Sequence, residues 1–130
     1  MLTERGLEAA LDGLAARAPV PVTVNAELGT RLPPAYESTA YFLVCEALTN
    51  VAKYADATAA EVSVSVSNGH VVIEVRDDGR GGADPRAGSG ISGMRDRVAA
   101  LDGALSVESV PGTGTLVRAK LPYREAALVA

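Results

Sequence analysis

Residues 60–79 constrain this chain more than any other stretch. Val62, Val64 and Val66 alternate with Ser63, Ser65 and Ser67, then Asn68-Gly69 intervenes, and Val71, Ile73 and Val75 resume the alternation. Period-two apolar residues on either side of Asn-Gly predict a β-hairpin with one apolar and one polar face. Helices are therefore expected on the apolar face alone. The second strand ends at Asp77, where Asp77-Asp78-Gly79-Arg80-Gly81-Gly82 opens a loop rich in glycine and charge that runs to residue 90.

The rest of the chain fits around that hairpin. Leu7, Leu11 and Leu14 stand at helical spacing and predict a short helix over 3–17, ended by Pro19 and Pro21. Residues 21–28 suit a strand through Val22 and Val24. A turn over 29–34 leads to a long helix from Ala35 to about Ala55, with Pro34 in its first turn, where a missing amide proton costs little. Met94, Val98 and Leu101 give a helix from Ile91 to Leu101. Residues 105–110 and 115–121 read as a last strand pair joined by Pro111-Gly112-Thr113-Gly114. The predicted class is α+β: a two-layer sandwich whose mixed, mostly antiparallel sheet is covered on one face by helices. At 130 residues a single domain over 1–130 is expected, its core over about 20–122, its N-terminal helix within 1–18 and its tail over 123–130. Aromatic residues make up only 4% and Phe42 is the sole Phe, so the core must be aliphatic.

Charge narrows the function. A formal net charge of −4 argues against nucleic-acid binding, which wants a basic face, and means a bound nucleotide needs local positive charge or a cation. Cys45 is the only cysteine; inside an apolar helical run it reads as a small buried hydrophobe. His70 is the only histidine and falls in the hairpin turn, which suits a solvated residue better than a catalytic or metal-binding one. No signal peptide and no membrane-length apolar run is evident, so a cytoplasmic piece without direct membrane contact is expected.

Three clusters carry chemistry. Glu46, Asn50 and Lys53 share one helix face at i, i+4, i+7, with Val44, Leu48, Val51 and Ala55 on another. An amide oxygen, together with phosphate oxygens and water, suits Mg²⁺; a carboxylate can orient or deprotonate a nucleophile; a lysine offers phosphate a point charge. A solvated Glu–Lys face is the plainer reading. Asp77 closes a strand beside Gly79 and Gly81, where a carboxylate can accept from an exocyclic amine such as adenine's; an ordinary Asp-Gly turn is the alternative. Gly88, Gly90 and Gly93 match a dinucleotide fingerprint in form, with Glu108 near the spacing of its ribose-binding acid, but no strand directly precedes them. A lid whose amides meet phosphates, with the helix start behind it, is the other reading. Arg80, Arg86 and Arg95 flank that loop as candidate screens for phosphate charge, and Thr113 and Thr115 offer hydroxyls near the base.

As a set these residues resemble a known family. Residues 46–55, Glu-Ala-Leu-Thr-Asn-Val-Ala-Lys-Tyr-Ala, resemble the asparagine box of the ATPases that include sensor histidine kinases, gyrase, Hsp90 and MutL. Asp77-Asp78-Gly79-Arg80-Gly81 is similar to their first glycine box, residues 88–98 to the second, and Gly112-Thr113-Gly114-Thr115 to the last short motif. The order is the family's and the likeness covers about 20–122. The Gly-Met-Arg-x-Arg-Val wording is most similar to histidine kinases that pair with helix-turn-helix response regulators. The resemblance implies the Bergerat-type ATP-binding fold and ATP with Mg²⁺ as ligands. By position it makes Glu46 the catalytic acid, Asn50 the Mg²⁺ ligand, Lys53 a phosphate contact and Asp77 the acceptor of the adenine amine. Gly79, Gly81, Gly88, Gly90, Ile91, Gly93 and Met94 would shape pocket and lid, and Thr115 would lie near adenine. It further implies γ-phosphoryl transfer to a histidine on a separate dimerisation domain, with a response regulator as an indirect partner. Tyr54 stands where this subgroup often has a phosphate-touching histidine, and the chain carries no phosphoacceptor-histidine helix. A serine kinase of the anti-sigma type and a non-catalytic nucleotide-sensing module are the rival readings.

Overall fold

The computed structural model describes residues 6–26, 28, 31–52, 57–79 and 91–123. The elements run α1 (Gly6–Arg17), β1 (Val22–Ala26), α2 (Pro34–Asn50), β2 (Ala60–Ser67), β3 (His70–Asp77), α3 (Ile91–Ala99), β4 (Ala104–Val110) and β5 (Gly114–Pro122). The sequence order holds throughout, and the two-layer α+β class is the one expected. The hairpin turn takes φ of 51° at Asn68 and 78° at Gly69, the left-handed pair that an Asn-Gly turn supplies at least cost. His70 Nδ1 lies 3.1 Å from the Asn68 carbonyl inside that turn, so its neighbourhood is the turn itself.

The five strands order β1-β2-β3-β5-β4. Three pairings are antiparallel, whereas β1 and β2 run parallel. That exception follows from connectivity: β1 and β2 are joined through α2, and only such a crossover can return the chain in the same direction. Odd-numbered residues of β3 and β5 and even-numbered residues of β2 face the helices. Val62, Val64, Val71, Ile73, Ala119 and Leu121 are shut off from solvent there, against Leu7, Leu11, Leu43, Val44, Met94 and Val98 of the helices. Each such Val, Ile, Leu or Met side chain contributes about 1.5–3 kcal/mol over its exposed state. The opposite face stays polar, with Arg118 Nε 2.6 Å from Glu74 Oε2.

Helix α2 sets the frame. Its first turn is built on Pro33, whose carbonyl accepts the Tyr36 and Glu37 amides at 2.9 and 3.1 Å. Its far end departs from the expected helix: Val51 and Ala52 continue as a wider π turn, and residues 53–56 lie outside the described set. Cys45 is half-buried rather than buried. The buried stripe of α2 runs Ala40, Leu43, Val44, Ala47, Leu48 and Val51, and Cys45 falls on its flank. The helix also holds a buried acid that the sequence did not single out. Glu37 is 1% exposed. Its carboxylate accepts Arg31 Nε at 2.9 Å, Arg31 Nη2 at 2.7 Å and the Leu32 amide at 3.1 Å. The Arg31 guanidinium holds the Glu37 carboxyl below the usual range against the opposing effect of burial.

Because the folded pKa is depressed, this stabilisation is present above the unfolded pKa and is lost as pH falls through the folded one. Glu37→Gln should therefore lower the unfolding midpoint at neutral pH. The gap from the parent should close on acidification below the ordinary carboxyl range, as thermal melts at a series of pH values would show.

Candidate nucleotide site

Asp77 occupies the last core-facing position of β3, in phase with Val71, Ile73 and Val75. A carboxylate thus stands where the alternation calls for an apolar side chain, and it is only 8% exposed. Its Oδ1 accepts the Gly79 amide at 2.8 Å. Burial pushes its pKa above the ordinary range; the amides of Gly79 and Thr115 pull the other way, and Asp78 adds a small upward push. No ion pair to Asp77 occurs among the described residues. Ala60, Asp77, Thr115 and Ser109 are successive cross-strand partners, so they form one row on the helix side.

The adjacent acid has a different task. Asp78 points away from the core and accepts the Thr58 amide at 2.8 Å, the Ala59 amide at 3.1 Å and the Thr58 hydroxyl. These bonds hold its carboxyl below the ordinary range and pin the segment that enters β2. Gly114 is fixed by the same strand end. Its φ is +133°, and a Cβ there would lie 2.1 Å from the Asp77 carbonyl oxygen. The glycine of the last short motif therefore lets β5 close onto Asp77. Gly112 also has a left-handed φ, +82°, but faces open space.

Connectivity brings the helix motif to this place. The start of α2 is tied to the hairpin end of the sheet: Tyr36 Oη donates to the Pro122 carbonyl, and its ring meets Tyr123 at 5.6 Å. Pro122 pairs with His70, the residue of β3 furthest from Asp77. The other end of α2 leads by a short connection into Ala60, the strand partner of Asp77. Glu46 and Asn50 thus lie toward the same sheet end as Asp77. They are half-buried and continue a stripe that begins at Phe42 with i, i+4, i+8 spacing. Phe42 faces α3: its ring end would lie 3.7 Å from a Cβ at Gly93, and the Arg97 guanidinium sits 4.1 Å over its centroid. Val44, Leu48 and Val51 are buried on the other stripe, as expected.

Other expected residues divide. Ile91 and Met94 are buried in the hydrophobic core, where they pack and offer no polar contact. Gly79 is buried and donates its amide to Asp77. Arg95 donates Nη1 to the Leu105 carbonyl at 3.2 Å, a bond that ties α3 to β4 rather than one aimed at phosphate. Lys53, Tyr54, Ala55, Arg80, Gly81, Arg86, Gly88 and Gly90 lie outside the described residues. Two contributors went unread in the sequence. Phe42 carries the α2–α3 contact. Ser109 Oγ lies 2.9 Å from Thr115 Oγ1; the turn at 111–114 was the available signal, because it sets which residues face each other.

Among the described residues no group of three or more His, Cys, Asp or Glu could cage a metal. A single amide oxygen completed by phosphate oxygens and water suits Mg²⁺, which keeps part of its hydration. A concavity of about 430 Å³ at this sheet end is walled in part by Glu61, Arg76, Leu116 and Glu108. Those four are cross-strand neighbours on the polar face, and Ala60, Asp77 and Thr115 of the helix-side row line it as well.

The family model of histidine kinase-, DNA gyrase B-, and HSP90-like ATPases matches residues 35–125. The chain belongs to that family. Within it, the chain is 36% identical over 93 residues to the oxygen sensor histidine kinase NreB of Staphylococcus carnosus, covering 68% of this chain and 27% of NreB. It is 32% identical over 90 residues to the sensor histidine kinase YxjM of Bacillus subtilis, covering 69% and 22%. The chain thus spans about a quarter of the length of these relatives. The blue-light activated histidine kinase of Erythrobacter litoralis superposes with a TM-score of 0.74 at 25% identity, over 94% of this chain and 42% of that one. All three of these similar proteins are histidine kinases.

The two motif glycines should separate on substitution. Gly112→Ala should cost about 1–2 kcal/mol, the price of a left-handed non-glycine residue. Gly114→Ala adds a backbone collision and should cost well above that. Urea unfolding of both variants checks the order; equal costs would mean that Gly114 is not needed for the close approach to Asp77.

Proposed function

We propose that this domain binds Mg·ATP between the end of α2 and the end of β3, and delivers the γ-phosphoryl group to a histidine on a separate dimerisation domain of a two-component sensor kinase. The observation that carries the reading is the buried carboxylate of Asp77, which has two amide partners but no cation among the described residues, at the sheet end toward which Glu46 and Asn50 also lie. Burying a charge without a cation is costly, and an amine donor supplied by a ligand would offset that cost. Asp77 accepts from the adenine amine, with Gly79 leaving the ring room to approach. Thr115 lies beside the base, and Ile91 and Met94 form the apolar floor. Asn50 contributes the one protein oxygen to the cation, and Lys53 meets phosphate. Gly81, Gly88, Gly90 and Gly93 shape the lid.

Bound Mg²⁺ would neutralise charge on the phosphate oxygens. Glu46 orients the incoming imidazole and takes its ring N–H proton as the other ring nitrogen bonds to the γ-phosphorus and the P–O bond to the β–γ bridging oxygen breaks, so that ADP leaves. Catalysis is then mainly alignment and charge neutralisation, as in phosphoryl transfer generally. A response regulator receives the group from the dimerisation domain, and the domain works in the cytoplasm where ATP is supplied. No helix among the described residues is long and apolar enough to cross a membrane.

Asp77→Asn tests the base contact. The folded pKa of Asp77 is raised, so the protonated form stabilises the fold below the unfolded pKa, and that contribution fades as pH rises through the folded value. Asn is neutral throughout and can still accept the two amides. The variant should be at least as stable as the parent at pH 7, with a smaller advantage at low pH. Its ATP affinity should fall about ten- to a hundredfold, the range for a charge-assisted hydrogen bond. Calorimetry finding parental affinity would remove Asp77 from the site. Transfer is tested by supplying labelled ATP with a histidine-bearing helical hairpin, and separately with a serine-bearing partner. The label should appear on the hairpin alone and be lost in acid. An acid-stable label on the serine partner would instead favour the anti-sigma type of kinase.

A further inference from the structure

Ser109 stands across the strand pair from Thr115 at the edge of the sheet. The two hydroxyl oxygens are 2.9 Å apart, and either can be the donor. Thr115 is in turn the strand partner of Asp77 and gives it a backbone amide. Gly114, seated against the Asp77 carbonyl, fixes the backbone of this corner. The fold therefore sets where the Thr115 oxygen lies, but only a hydrogen-bond partner sets where its proton points.

We infer that Ser109 is a positioning residue for purine choice: its hydroxyl donates to Thr115 Oγ1 and so leaves the Thr115 proton free to be donated to the base. The inference rests on the adenine site proposed above. Asp77 is an acceptor. If Thr115 is a donor beside it, the row presents an acceptor next to a donor. Adenine offers the complement, an amine donor next to the N1 ring acceptor. Guanine offers the reverse, a carbonyl acceptor next to an N–H donor, and would set its oxygen against the carboxylate. With the Ser109–Thr115 bond reversed, Thr115 would present only lone pairs and the match to adenine would be lost.

Four chains decide it by calorimetry: parent, Ser109→Ala, Ser109→Thr and Asp77→Asn. Each is titrated with Mg·ATP and with 1-deaza-ATP, which keeps the amine and lacks the N1 acceptor. Ser109→Ala removes no hydrogen bond to the nucleotide, only the preset orientation of the Thr115 hydroxyl among about three rotamers, so it should weaken ATP binding about threefold and should not weaken 1-deaza-ATP binding. Ser109→Thr should keep parental behaviour with both. Ser109→Ala with parental ATP affinity, or with equal losses for both nucleotides, would overturn the inference. If Asp77→Asn still loses ATP in that case, the adenine site stands and only the role of Ser109 falls. If Asp77→Asn keeps ATP, the site itself falls.

Discussion

The parallel pairing of β1 with β2 is the constraint on which the site depends. A crossover between parallel strands must carry its helix back along the sheet, so α2 runs counter to both strands. Its start is then held at the hairpin end by Tyr36 and Pro122. Its last turns arrive where β2 begins and β3 ends. Nothing in the helix motif itself specifies that meeting.

A second constraint is electrostatic. Two neighbouring aspartates differ only in which side of the pleat they occupy. Asp77 is in phase with the core and pays desolvation; Asp78 is out of phase and accepts bonds from Thr58 and Ala59. The strand end thus splits one acidic pair into a buried carboxylate and an exposed structural clamp. The two shifts run in opposite directions for that reason. A recognition carboxylate needs a partly dry setting, because there a ligand amine gains more from it than water would.

Much of this was legible in the sequence, where local rules suffice. The hairpin followed from period two and Asn-Gly, and the phase of Asp77 followed from Val71, Ile73 and Val75. The pairing of Glu46 with Asn50 needed only helical spacing. What could not be read was tertiary. That β5, and not β4, lies beside β3 is a choice between strands of similar pattern. Glu37 reads as an ordinary first-turn acid, since its burial depends on Arg31 folding back across six residues. Cys45 missed burial because its helix position falls beside the buried stripe. Gly114 looked like part of a nucleotide motif, and only the approach of β5 to Asp77 reveals its packing role.

Gly114 also shows why the motif must be read as a unit. A Cβ at that position would push β5 from the Asp77 carbonyl, and Thr115 would move with it. The Thr115 amide would leave the Asp77 carboxylate, and the Thr115 hydroxyl would leave Ser109. Two polar contacts thus depend on one missing methyl group. Loss of nucleotide binding in a Gly114 variant would therefore not imply that this residue touches the base. The separation of contact from support lies in the row itself: Asp77, Thr115 and Ser109 share one face of the sheet, and Gly114 brings them together.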